Sequence, residues 1–299
     1  YENFSFPEAL KYLAERAGME LPEEELNEEA KRAMDEKARL REMNKLSANY
    51  FYYLLHSKRG QKGLAYLKDR GITDATIKHF GLGYADIYND DLYRFLKSKG
   101  YSDEDLKDSA LVTIDERRGG SDKFWNRVMF PIMDVNNRVI GFGGRVMGDG
   151  SPKYLNSKET TLFDKSRNLY GLNFTKKSIG KKRIAFIFEG EKSTLLSDSW
   201  YGDDSIAVST CGNKLNKFQV NLLIQLGVRE AIICYDRMNQ DRYDETYFNK
   251  LYSLCKKYNN YMNFSFIYDR NCILEYKAAP VDSGKDVFER LLQQRVVVK

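Results

Sequence analysis

The stretch RIAFIFEGEKSTLLSDSW, residues 183–200, decides the fold. Five residues of apolar strand character, Ile184 to Phe188, run straight into Glu189 and Gly190, and a segment with helical spacing follows. A short buried strand, a tight turn and a helix make the opening of a βα unit. The pattern recurs downstream. SIAVST (205–210) reads as a second strand and KLNKFQVNLLIQLG (214–227) as a second helix. AIICYD (231–236) is a third strand, followed by a helix over about 244–258, and NFSFIYD (263–269) is a fourth strand. Strands alternating with helices predict an α/β domain with a central, largely parallel sheet.

Upstream the texture differs. VMFPIMDV (128–135) and RVIGFGGRVM (138–147) alternate like strands around Asn136-Asn137. Asparagine tolerates positive φ, so a tight hairpin is expected there. A glycine-rich, loop-like stretch, GDGSPKYLNSKET (148–160), comes next. Further back the pattern is helical. Residues 1–20 predict a short helix with Pro7 near its start, Ala9, Leu10, Leu13 and Ala14 on one face, and Gly18 closing it. Residues 21–48 are almost pure charge and read as a long solvated helix or a linker at a domain junction. Leu46 to Leu67 has helical apolar spacing. Gly71 stops a helix, Thr73 or Asp74 caps the next, Gly81 ends it, and Ser102 with Asp105 resembles a capping box. The expected division is 1–47 as a helical tail, 48–180 as a mixed α+β basic subdomain, and 181–299 as the α/β domain.

The chain of 299 residues is 42% hydrophobic and 30% charged, with a net charge of +5. Mean hydropathy is −0.59. No apolar run approaches the roughly 18 residues of a membrane span, and YENFSFPEAL lacks the basic start and apolar core of a signal peptide. No membrane partner is expected. Cys211, Cys234, Cys255 and Cys272 form no CxxC pair, and His56 and His79 lie far upstream, so no zinc is expected. Isolated cysteines fit a reducing cytoplasm. Charge is uneven. Residues 1–48 hold eight basic and twelve acidic side chains, whereas 114–183 hold fifteen basic and seven acidic. A basic middle suits a polyanion groove, although an ordinary solvated surface has the same look.

Two strands end in an acid: Glu189 after IAFIF and Asp236 after AIICY. A third cluster, Asp282 and Asp286, follows the fourth strand. In an open parallel sheet functional groups gather at the carboxyl ends of strands. Hard carboxylate oxygens there can hold Mg²⁺ for phosphoryl transfer, and each acid alone could equally be a helix cap.

The stretch KFWNRVMFPIMDVNNRVIGFGGRVMGDGSPKYLNSKETTLFDKSRNLYGL (123–172) resembles the signature of bacterial, DnaG-type DNA primases. GLAYLKDRGITDATIKHFGLGYA (63–85) is similar to the family too. FEG and YD then fall where the acidic motifs of a TOPRIM domain stand in that family. The resemblance implies a mixed α+β subdomain followed by a TOPRIM-like α/β domain, and synthesis of short RNA primers on single-stranded DNA by metal-dependent nucleotidyl transfer. It implies Mg²⁺, or Mn²⁺, held by Glu189, Asp236 and Asp286 as the catalytic acids. Arg127 and Arg145 would face the template and nucleotide groove, Lys153, Tyr154 and Asn156 would hold the incoming nucleotide or nascent RNA, and Lys165 would contact phosphate. NTPs, a single-stranded DNA template and nascent RNA are the implied partners. The family's zinc-binding domain, the helical subdomain that closes the core, and the region that meets the replicative helicase would lie outside this stretch.

Each acidic motif departs from the family pattern in its second acid, which becomes Ser193, Met238 or Phe288. That fits a divergent phage or mobile-element branch. Glu191, Asp241, Asp244 and Asp269 stand as substitutes. Two other readings use the same residues: a TOPRIM nuclease or phosphotransferase, and a non-catalytic single-strand-binding module with degenerate acids.

Overall fold

The computed structural model of the chain describes residues 6–19, 28–115, 117–212 and 214–299. The expectations for residues 1–5 and 20–27 lie outside the described residues. The N-terminal half runs α1 (Phe6–Ala17), α2 (Glu28–His56), α3 (Gln61–Asp69), α4 (Asp74–His79), β1 (Gly83–Ala85), α5 (Asp91–Ser98), α6 (Asp103–Asp108), β2 (Val112–Asp115), β3 (Gly119–Asp122), β4 (Arg127–Met133), β5 (Val139–Val146) and β6 (Tyr154–Asn156). The C-terminal half runs α7 (Leu172–Lys182), β7 (Ile184–Phe188), α8 (Glu191–Tyr201), β8 (Ala207–Ser209), α9 (Lys217–Gln225), β9 (Glu230–Ile233), α10 (Glu245–Tyr258), β10 (Asn263–Phe266), α11 (Lys285–Gln293) and β11 (Val296–Val297).

Among the described residues the larger sheet has the order β11-β10-β9-β7-β8. Its β10, β9, β7 and β8 pair in parallel, and only the edge strand β11 is antiparallel. The βα reading is therefore correct in kind and order. The second sheet, β1-β4-β5-β6, pairs antiparallel throughout. Its central hairpin turns at the two asparagines. Asn137 takes φ 62°, and the Asp134 carboxylate accepts from the amides of Asn136 and Arg138 at 2.9 and 3.0 Å. The turn is thus a local, side-chain-braced structure that a positive-φ asparagine makes possible.

The local caps form as expected. Thr73 accepts from the Thr76 amide, and Ser102 and Asp105 close a reciprocal capping box. Gly71 and Gly81 both adopt positive φ.

Residues 28–56 form one continuous helix, which crosses position 47 where composition suggested a junction. The physical reason is a stripe of buried side chains inside the charge-rich stretch: Leu40, Met43, Ser47, Phe51 and Leu54. Spacings of three and four put them on one helix face, which packs on β1 and β5. Among the described residues no helix is long and apolar enough to cross a membrane.

Candidate active site between the two sheets

The acids emerge from neighbouring strands. β7 stops at Phe188, and Glu189 and Gly190 precede the first turn of α8. The Cys234 amide still donates to the Ile187 carbonyl at 2.8 Å, which carries the pairing past β9 and brings Asp236 out on the same rim as Glu189. Burial and the nearby Asp236 charge push the Glu189 carboxyl up to about 7, although it accepts the Asp236 amide. Burial and the charge of Asp282 push Asp236 up to about 6, against a lowering pull from Lys192. Both shifts have the same causes in the same order: burial first, then a neighbouring carboxylate whose charge the nearby lysines do not offset.

The third acid at this rim is Asp282. Its Oδ1 is 2.6 Å from Lys192 Nζ, and its Oδ2 accepts from the Ala279 amide at 3.1 Å. Asp286, the acid expected here, is the second residue of α11, is exposed, and does not line the cleft. The segment between β10 and α11 selects between them. Asp269 Oδ2 accepts from the Leu274 amide, the Arg237 guanidinium donates to the Leu274 carbonyl, and the backbones of Arg237 and residues 277–278 exchange hydrogen bonds. That folding presents Asp282 beside Asp236.

The facing wall is the edge of the antiparallel sheet. β6 pairs with β5 in the register Gly143↔Asn156 and Arg145↔Tyr154. A Cβ added to Gly143 would sit 3.1 Å from both Asn156 Oδ1 and Glu191 Oε1, so β5, β6 and the start of α8 meet over a hydrogen atom. Lys153, Tyr154 and Asn156 line the same cleft as Glu189, Asp236 and Asp282, a cavity of about 410 Å³. Lys153 and Tyr154 are exposed, and Asn156 is half-buried.

Of the three other expected contacts, Arg127 is turned inward, whereas Arg145, paired with Tyr154, and Lys165, beside Gly212 and Glu191, border the cleft. Arg127 is 6% exposed, and its Nη1 donates to the Gly144 and Pro152 carbonyls at 3.2 and 3.0 Å. It is a brace that ties β5 to the loop before β6 and does not face the groove. Arg145 stacks over the Tyr66 ring at 4.9 Å and donates to the Val146 carbonyl. Lys165 lines an adjoining hollow with Thr210, Lys214 and Asn216, which meets the main cleft at Gly212. Of the substitute acids only Glu191 lines the cleft. It is buried, and burial pushes its pKa up. Asp244 caps α10 by accepting from the Tyr247 amide, Asp269 is buried in the loop just described, and Asp241 is exposed. Cys234 and Cys255 are core thiols, whereas Cys211 lies at the cleft beside Glu191.

Lys192 and Arg70 are cleft residues that the sequence pattern did not single out, and Asp282 stood in that pattern only as the companion of Asp286 in the third acidic cluster. Lys192 carried a signal, since it stands in the EGEK turn directly after a strand-end acid. Arg70 carried none.

Comparison with known proteins agrees with this architecture. Residues 50–176 match the family described as DNA primase catalytic core, N-terminal domain. A crystal structure of a DNA primase domain from Pseudomonas aeruginosa is similar at 30% identity and a TM-score of 0.69, covering 86% of this chain and 79% of that one. The chain belongs to the DnaG-type DNA primase family. A DnaG primase catalytic domain solved bound to single-stranded DNA is similar at 28% identity and a TM-score of 0.73, covering 88% of this chain and 83% of that one. The DNA primase of Clostridium acetobutylicum is 41% identical over 236 residues, which is 79% of this chain and 38% of that protein. This DnaG-type chain thus spans about two fifths of the length of the curated relatives it matches. The family model ends at residue 176, before Glu189.

Proposed function

We propose that the chain is the polymerising core of a primase, which makes short RNA primers on single-stranded DNA from NTPs by nucleotidyl transfer. One observation carries this reading: a single cleft sets acids with unmet charge against a cation, a ring and an amide. Glu189 and Asp236 form one wall, and Lys153, Tyr154 and Asn156 the other.

The acids fit a divalent metal by their chemistry. The salt bridges among the described residues leave Glu189 and Asp236 out, and both hold raised pKa values. Among the described residues no three carboxylate, imidazole or thiol groups already form a cage. A partial oxygen set suits Mg²⁺, which keeps waters and takes further oxygens from phosphates; Mn²⁺ would serve as well. Glu189 and Asp236 would hold the ion, and the ion would supply charge neutralisation for phosphoryl transfer. Lys153 meets phosphate, Tyr154 offers a face for a base, and Asn156 can pair with a sugar hydroxyl. The C-terminal half would be the TOPRIM domain and 48–180 the basic subdomain, with 1–47 as a tail whose helical residues 28–47 are packed onto that subdomain. The template, NTPs and nascent RNA are the partners within this region, and a replicative helicase would be met through other parts of the protein. The setting would be the cytoplasm, and the motif variants favour a phage or mobile-element branch.

The test is a single-stranded template, labelled ribonucleotides and Mg²⁺ or Mn²⁺. Template-dependent RNA products support the proposal. Degradation of the template would mark a nuclease, and binding without product would mark a non-catalytic module.

A further inference from the structure

The acid rim contains an internal cation. Lys192 is the second residue of α8, its ammonium is 2.6 Å from Asp282, and its side chain keeps 21% exposure toward the cleft. Of the three rim acids, Asp282 is therefore already neutralised. Glu191 also lines the cleft but is buried against Gly143 of β5, and Glu275 is exposed. Among the described residues, Glu189 and Asp236 are thus the strand-end carboxylates left without an ion pair, and that pair matches the charge of one divalent ion. A second divalent ion bound through Asp282 would have to displace or crowd the ammonium.

The same corner is built to meet an anion. Gly190 caps α8 with no side-chain hydrogen bond, and Gly190, Lys192 and Ser193 all line the cleft. A helix of eleven residues thus opens its N-terminus into the site beside a lysine. The Glu191 amide is met by its own carboxylate and the Ser193 amide by the Gly190 carbonyl, so it is the helix dipole together with the Lys192 ammonium that favours phosphate here.

We infer that this cleft binds one divalent cation rather than two, and that the Lys192 ammonium does the second cation's work on the phosphates of the incoming nucleotide. The inference rests on the proposed nucleotidyl transfer. In that step the primer 3′-hydroxyl gives its proton to water and its oxygen bonds to the α-phosphorus. The α–β phosphoanhydride bond breaks, and pyrophosphate leaves with the bridging oxygen. Lys192 contacts the departing β-phosphate, loses no proton, and offsets the charge that builds there. Between turnovers it rests on Asp282.

The inference makes an unusual demand on the Lys192→Met variant. Removing the ammonium frees Asp282, so a second metal site should appear as phosphate binding weakens. Mn²⁺ binding to the 299-residue chain is followed by electron paramagnetic resonance without nucleotide. The expected result is one ion per chain for the unaltered protein and two for Lys192→Met. Inhibition of primer synthesis by pyrophosphate should weaken about tenfold in Lys192→Met and stay within about threefold of the unaltered protein in Lys192→Arg. Two Mn²⁺ ions in the unaltered chain overturn the inference, as does undiminished pyrophosphate inhibition in Lys192→Met. Glu189→Gln separates this failure from that of the proposed function. If it keeps full Mn²⁺ binding and full primer synthesis, the acid site itself is misassigned and both readings fall. If it loses both while Lys192→Met behaves as the unaltered chain, only the role of Lys192 falls.

Discussion

The two walls of the cleft are made in opposite ways. Lys153, Tyr154 and Asn156 come from one short run of chain, held at the edge of an antiparallel sheet by its register with Gly143 and Arg145. Glu189, Asp236 and Asp282 come from three strand-to-helix connections and meet only when the parallel sheet has formed and the loop before α11 has folded back. One wall is a local motif and the other a long-range assembly. The difference shows in their electrostatics. In the local wall Lys153 is exposed and burial raises only a neutral phenol, Tyr154, to about 12, whereas in the assembled wall burial and neighbouring carboxylates push two acids up.

The largest effect should come from the assembled wall. Glu189→Gln or Asp236→Asn is expected to lower primer synthesis roughly a thousandfold by weakening the metal's hold on the phosphates, with Mn²⁺ affinity falling in parallel. An equal loss from Lys153→Ala would break the contrast between the walls. At the local wall, Lys153→Ala, Tyr154→Ala and Asn156→Ala should each raise the KM for NTP about tenfold and leave kcat within a few-fold, the signature of lost binding. Steady-state kinetics under saturating template would read this.

Acidity should separate the walls again. Glu189 and Asp236 take up protons at higher pH in the folded protein than their ordinary 4.5 and 3.8 would allow. The folded state therefore binds more protons than the unfolded chain between about pH 4 and 7, so the metal-free protein loses stability as pH rises through that window. A proton also competes with the metal, so Mn²⁺ affinity should rise with pH and level off above about pH 7. Thermal melts with and without Mn²⁺ at pH 5.5, 6.5 and 7.5 would show the gap widening.

Arg127→Met tests the brace behind the local wall. Two carbonyls lose a donor, and a stability loss of about 2–4 kcal/mol is expected, with the KM for NTP nearly unchanged once the protein is folded. Asp286→Asn should do least, with rate and metal affinity within twofold, because the side chain is exposed and outside the cleft.

What the sequence made legible follows the same division. The hairpin at Asn137, the Ser102–Asp105 box and the run of βα units all depend on neighbours a few residues apart, and spacing reveals them. The choice between Asp282 and Asp286 depends on Arg237 reaching the Leu274 carbonyl across 37 positions, which no periodicity encodes. Arg127 misled for a related reason. An arginine in a basic, glycine-rich segment looks like a phosphate ligand, and only the packing of β5 on β4 shows its guanidinium turned inward. The helical stripe in residues 28–56 was readable in principle, but the dense charge around it resembled a solvated linker.

The cleft's two walls also share their foundation. One continuous apolar cluster joins Phe51, Phe124 and Phe142 beneath the antiparallel sheet to Phe188, Leu195 and Phe288 beneath the parallel one. Between α4 and α8, Thr76 Oγ1 donates to the buried Asp198 carboxylate at 2.7 Å, and Phe80 packs against Tyr170 and Phe174. Domains joined by a thin, wet seam melt one after the other. Halves that hold a hydrocarbon interior in common melt as a unit, so this chain should show a single calorimetric transition, and heating should remove the proposed nucleotide binding and the proposed metal binding together.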